Sequence, residues 1–199
     1  MGAVFGRIAE EMPRHTVVQS AATYQVRRYE QSIAAMCDYS NGWGVSSDGT
    51  PFGSLARYIG VFGNPANVQK QQQAPEPIAM TAPVIIDAGS SRHTMMFLLP
   101  ASKYSSIEEA PVPSNPNVRL QTLPARLQAV RTFSGNFRPA RAKEQLEMLL
   151  ADLRKDGWTV KAPHGQSDGV DWQAAGYNAP FTLPWFKTNE VLVSVDEKK

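Results

Sequence analysis

Cysteine is almost absent from this chain: Cys37 is the only one in 199 residues. A lone thiol makes no internal bridge, which excludes a small secreted fold stapled by disulfides. Cys37 follows Met36 in an apolar run and reads as a small buried residue. Histidine is nearly as scarce, and His15, His93 and His164 lie too far apart to form a local metal motif. All three stand in polar or loop-like settings. No stretch reaches the roughly 18 consecutive apolar residues of a membrane span. The first residues show no basic segment followed by an apolar one, so no secretory signal is read. Glu10 and Glu11 argue against a transit peptide, and a cytoplasmic location is expected.

A surplus of one charge is missing too. Lys plus Arg number 20 and Asp plus Glu 18, a net charge of +2. The basic residues are scattered, and nucleic acid is not expected as a partner. Arg138, Arg141 and Lys143 come nearest to a cluster and read as a solvated helix start. Catalytic patterns are equally thin. Ser134 in Phe133-Ser134-Gly135 lacks the glycine two residues earlier that a nucleophile elbow needs. Cys37 has no identifiable histidine partner. Glu108 and Glu109 are neighbours in a loop, and Gly60-Val61-Phe62-Gly63-Asn64 follows a helix, where a phosphate loop would precede one.

What the chain does have is a hydrophobic content of 42%, enough for one globular domain spanning 1–199 with room for a pocket. Residues 1–20 read as an arm. Tyr24 to Tyr29 alternates like a strand, and Ile33 to Tyr39 is a second. A Gly/Ser-rich loop around Trp43 follows. Thr50 is an N-cap with Pro51 at the first helical position, Phe52, Leu55, Ala56 and Ile59 recur at helical spacing, and Gly60 closes the helix. Residues 61–76 read as a polar, mobile loop. Pro77 to Ile86 reads as a strand broken at Pro83, which predicts an edge position or a bulge. Thr94 to Leu99 is an apolar strand in which Met95 and Met96 point to opposite faces.

After an irregular join at 102–116 the pattern restarts. Val118 to Leu123 and Leu127 to Phe133 are strand-like. Ala140 to Asp156 is a helix with Leu146, Leu149, Leu150 and Leu153 on one stripe. Extended segments follow at Trp158, at Trp172 and at Val191 to Val195. The order is strand, strand, helix, strand, strand, twice over, with halves at about 21–101 and 117–195. Periodicity allows a barrel or two ferredoxin-like halves side by side.

Two apolar phrases broken by proline stand out: Ile78-Ala79-Met80-Thr81-Ala82-Pro83-Val84, and the stretch from Tyr177-Asn178-Ala179-Pro180-Phe181-Thr182-Leu183-Pro184-Trp185-Phe186-Lys187 to Val191. Neither carries an obvious nucleophile, base or metal cluster. Both offer rigid apolar surface suited to a planar ligand, with a few placed polar groups. Met80 reads more readily as core than as an iron ligand.

Together these phrases resemble the SOUL/haem-binding protein family. Met1 to Ile8 and Tyr24 to Tyr29 are similar to its plant and algal members. Leu55-Ala56-Arg57-Tyr58-Ile59-Gly60-Val61-Phe62-Gly63, Phe97-Leu98-Leu99-Pro100 and Phe133-Ser134-Gly135 follow in family order. The resemblance implies an α+β fold, a distorted eight-stranded antiparallel β-barrel flanked by two α-helices and built from two ββαββ-like halves. It also implies non-enzymatic, reversible binding of haem b or iron-free protoporphyrin, for carriage, buffering or signalling. A monomer is expected. The family's groove, carried over, is lined by Phe52, Leu55, Ala56 and Ile59 from the first helix and by Phe181, Leu183, Pro184 and Trp185 from the late loop. Arg57 and Lys187 would then face the propionates. A histidine proposed as ligand in some members has no counterpart here, so no metal ligand is expected. The family's Asn-Pro-Pro is Asn178-Ala179-Pro180 in this chain. Two other readings are a ligand-sensing or protein-interaction module that does not use porphyrin, and an enzyme acting on tetrapyrroles or carotenoids. The enzyme reading lacks a visible acid–base pair.

Overall fold

The computed structural model describes residues 7–39, 50–88, 93–161, 169–179 and 181–198. The loop around Trp43, residues 90–92, His164 and Pro180 lie outside them. In chain order the strands of the first half are β1 (His15–Ser20), β2 (Gln25–Tyr29), β3 (Ser32–Tyr39), β4 (Asn67–Val68), β5 (Val84–Asp87) and β6 (His93–Leu98), with helix α1 (Pro51–Ile59) after β3. The second half has β7 (Val112–Pro113), β8 (Val118–Leu123), β9 (Arg126–Phe133), β10 (Trp172–Gly176) and β11 (Asn189–Ser194), with helix α2 (Pro139–Lys155) after β9. Nine strands form one antiparallel sheet in the order β1-β2-β9-β11-β10-β5-β6-β3-β8, and β4 pairs with β7 in a small ribbon. Omitting β1, the order reads the same when the halves are exchanged, with a pseudo-twofold axis between β5 and β10.

Two short corners force this sheet to curl. β2 and β3 stand six places apart in the strand order, which is roughly 29 Å across a flat sheet. Yet only Glu30 and Gln31 join them, a link that spans about 11 Å at most. β8 and β9 are equally separated and are joined by Pro124 and Ala125 alone. The sheet curls into a distorted half-barrel, with the helices outside.

Alternation then sorts the side chains into three cores. Tyr29, Ala34, Met36, Ile85, Met96, Leu98, Val130, Ala175 and Leu192 fill the lumen. The opposite faces of β3 and β6, including Ala35, Cys37, Met95 and Phe97, pack beneath α1. The opposite faces of β9 and β11, including Ala129, Val191 and Val193, pack beneath α2 with Leu146, Leu149 and Leu153. Strands buried on both faces read as continuous apolar runs.

Some expectations change. The arm supplies a ninth strand, β1, whose residues are nearly all exposed because it lies at the sheet edge. Pro83 interrupts no strand: β5 begins at Val84, one residue later, and occupies the sheet centre between β10 and β6. The segment 61–76 is anchored. Asn67 is 1% exposed, its amide donates to the Tyr58 and Glu76 carbonyls at 2.7 and 2.9 Å, and its own oxygen accepts from the Glu76 amide at 2.9 Å.

Candidate functional site

Both helices begin beside one groove. α1 starts at Thr50, whose hydroxyl accepts from the Gly53 amide at 3.1 Å, and at Pro51. Phe52 is held edge-on against Phe97, with ring centroids 5.3 Å apart. α2 starts at Arg138-Pro139 with no side-chain cap. Neither first turn carries an acid. Between these two ends, over β5 and the end of β10, lies an apolar groove of about 400 Å³.

Phe52, Met80, Val84, Met95 and Phe137 give its apolar wall; Tyr177, Asn178, Asn189, Arg138 and Lys187 give its polar groups. Phe137 packs against the cores under both helices. Gly176 lies beneath it, where a Cβ would sit 3.4 Å from the Phe137 ring, in contact with it. The groove's position at the pseudo-twofold axis means that each half contributes one helix start and one central strand. Glu10 is the acid among the described lining residues, and its carboxylate accepts from the Ala9 amide at 2.9 Å.

Tyr177 connects the groove to the lumen. Its hydroxyl donates to Glu190 Oε2 at 2.5 Å. Glu190 Oε1 accepts from Arg27 Nη1 at 2.9 Å and from Thr132 at 3.2 Å, and Arg27 Nη1 also reaches the Tyr29 oxygen at 3.2 Å. Burial, then the Glu190 carboxylate, push the Tyr177 phenol well above its ordinary pKa, so it stays a proton donor. Burial works against the Arg27 charge, but the Glu190 carboxylate and the Tyr29 oxygen together hold its pKa above the ordinary value.

The ten residues expected at the site fall into four groups. Phe52 and Lys187 line the groove. Leu55, Ala56 and Ile59 are 0, 0 and 3% exposed and belong to the core under α1, because the helix turns this stripe toward the sheet. Arg57 lies on the exposed side of α1, away from the groove lining, and its carbonyl accepts from Ala66 and Gly60. Leu183, Pro184 and Trp185 sit on the neighbouring loop, where Pro184–Phe186 is a short 3₁₀ turn, and Phe181 and Trp185 point their rings to solvent. Met80, read as core, is partly exposed in the groove. Phe137, Arg138 and Tyr177 were not singled out as site residues. Phe137-Arg138-Pro139, an aromatic and a cation just before a helix, was the available signal.

No histidine or cysteine occurs among the described lining residues, and no cluster of metal-binding side chains occurs among the described residues. A second hollow of about 430 Å³ runs along β9, β10 and β11. Its charges are mixed, Arg28, Arg126 and Lys161 against Asp87, Asp171 and Glu197, so it offers a planar apolar ligand less.

A curled antiparallel sheet with two outer helices defines a recurrent α+β class. The EcmrR C-terminal domain shares it at 10% identity and a TM-score of 0.55, covering 88% of this chain and 98% of that one. An uncharacterized conserved protein from Listeria innocua aligns at 10% identity and 0.57, over 87% and 92% of the chains. A hydrolase from the same organism aligns at 10% and 0.53, over 90% and 94%. These likenesses concern the fold alone. A search among curated proteins finds no match. Residues 10–194 match the family described as SOUL heme-binding protein, and the chain belongs to that family.

Proposed function

We propose that this protein binds haem or iron-free protoporphyrin reversibly and without catalysis, as a carrier or buffer, in the groove between the two helix starts. The observation that carries this reading is the pairing of an apolar wall, Phe52, Met80 and Phe137, with Arg138 and Lys187 in one groove. A tetrapyrrole brings two flat faces for the wall and carboxylates for the cations. Two helix N-termini without first-turn acids add favourable potential for those carboxylates. No lining group is offered as an iron ligand, so the ring and its acids supply the affinity. Helix α1 contributes through Phe52, while Leu55, Ala56 and Ile59 hold the helix in place from beneath.

Titrating the purified protein with haemin and with protoporphyrin, followed by absorbance in the Soret band, tests the reading. Similar affinities are expected. Arg138→Glu and Lys187→Glu should each weaken both ligands by roughly tenfold or more, and Met80→Leu should leave both unchanged. A strong preference for haemin, or unaltered affinity in both charge variants, would overturn it.

A further inference from the structure

Beside the groove the chain exposes aromatic surface. Phe181 and Trp185 are 68 and 66% exposed, and Phe186 is 41% exposed. The Trp185 and Phe186 rings lie 6.3 Å apart. Scattered exposed apolar residues are ordinary, but three large rings on one short loop are not. The Pro184 carbonyl accepts from the Gly135 amide at 2.9 Å, which sets the aromatic turn against the segment leading into α2. Cations collect there. Arg138 and Lys187 line the adjoining groove, and Arg141 Nε lies 3.6 Å from the Cβ position of Gly135. Arg141 lies 3.6 Å from Glu144, half exposed like it, a pairing that water weakens, and Glu10 is the acid in the adjoining groove lining.

Rings that project into solvent beside cations match the boundary of a bilayer. The rings enter the layer between headgroups and acyl chains while the cations meet anionic headgroups. We propose that the Phe181–Trp185–Phe186 turn, with Arg138, Arg141 and Lys187, docks this protein reversibly on an anionic lipid surface. The contact is peripheral, since no described helix is long and apolar enough to cross a membrane. It places the open groove next to the lipid, where an apolar ligand partitions. The proposal does not depend on tetrapyrrole binding, because docking is measured with no ligand present.

The test is co-sedimentation of the full chain with vesicles of phosphatidylcholine and phosphatidylserine in equal parts, against vesicles of phosphatidylcholine alone. Binding to the anionic vesicles is expected, with a blue shift of tryptophan emission, and each basic residue near the surface should be worth roughly fivefold in partitioning. Raised salt should release the protein. Trp185→Ser should abolish the blue shift and weaken binding, and Arg138→Glu with Arg141→Glu should weaken binding without changing the thermal midpoint. Absence of vesicle binding overturns the proposal, as does binding that is indifferent to salt or to Trp185→Ser. Self-association that disappears in Trp185→Ser, without vesicle binding, would assign the turn to a protein interface and overturn it equally.

Discussion

Removing one lumenal carboxylate should harm this protein more than removing any exposed charge. Glu190 and Arg27 face each other at 2.9 Å with side chains 5 and 12% exposed. Glu190→Ala leaves the guanidinium buried without its partner and should cost about 3–5 kcal/mol. Tyr177→Phe removes one donor to the same carboxylate and should cost about 1–2 kcal/mol. Urea denaturation at neutral pH measures both. These residues gave no signal in the sequence, because the partners stand 163 positions apart. A polar residue inside a strand looks the same whether it faces a lumen or water. Met80 was misjudged for a related reason: an apolar residue in an apolar phrase looks buried until the groove beside it is seen.

Elements bounded by short-range chemistry were legible. Thr50, Pro51 and Gly60 delimit α1 as expected, since caps depend on neighbours in the chain. Gly60 has φ 91°, and a Cβ there would lie 2.7 Å from Pro65 Cγ. Gly60→Ala should therefore cost at least the roughly 1–2 kcal/mol of a left-handed backbone. For a chain of this size that is a fall of several degrees in Tm, read by calorimetry. What the local pattern could not supply was which face of α1 meets solvent. The stripe Leu55, Ala56 and Ile59 belongs to the helix, but the sheet claims it, and the groove gets only Phe52. β5 was misread likewise: proline chemistry identified Pro83 as a break, while its place just before a central strand depends on tertiary pairing.

At the scale of the molecule, the doubled strand–strand–helix–strand–strand order was visible as pattern, and the pairing was not. β2 pairs with β9 and β3 pairs with β8, so each half lends its first strand to the other. Such contacts are non-local and leave no trace in a window of residues. They also make the halves interdependent. Fragments 21–101 and 117–195, expressed separately, should be unfolded by far-ultraviolet circular dichroism. The intact chain should melt in one transition, with near- and far-ultraviolet signals coincident; two separated transitions would contradict the shared sheet.

The groove draws Phe52 from the first half and Tyr177 and Lys187 from near the end of the chain. On a ribosome, then, the wall containing Phe52 waits for its opposite wall until the codons for Tyr177 and Lys187 have been read. A chain that stops short of Lys187 holds only one side of the groove.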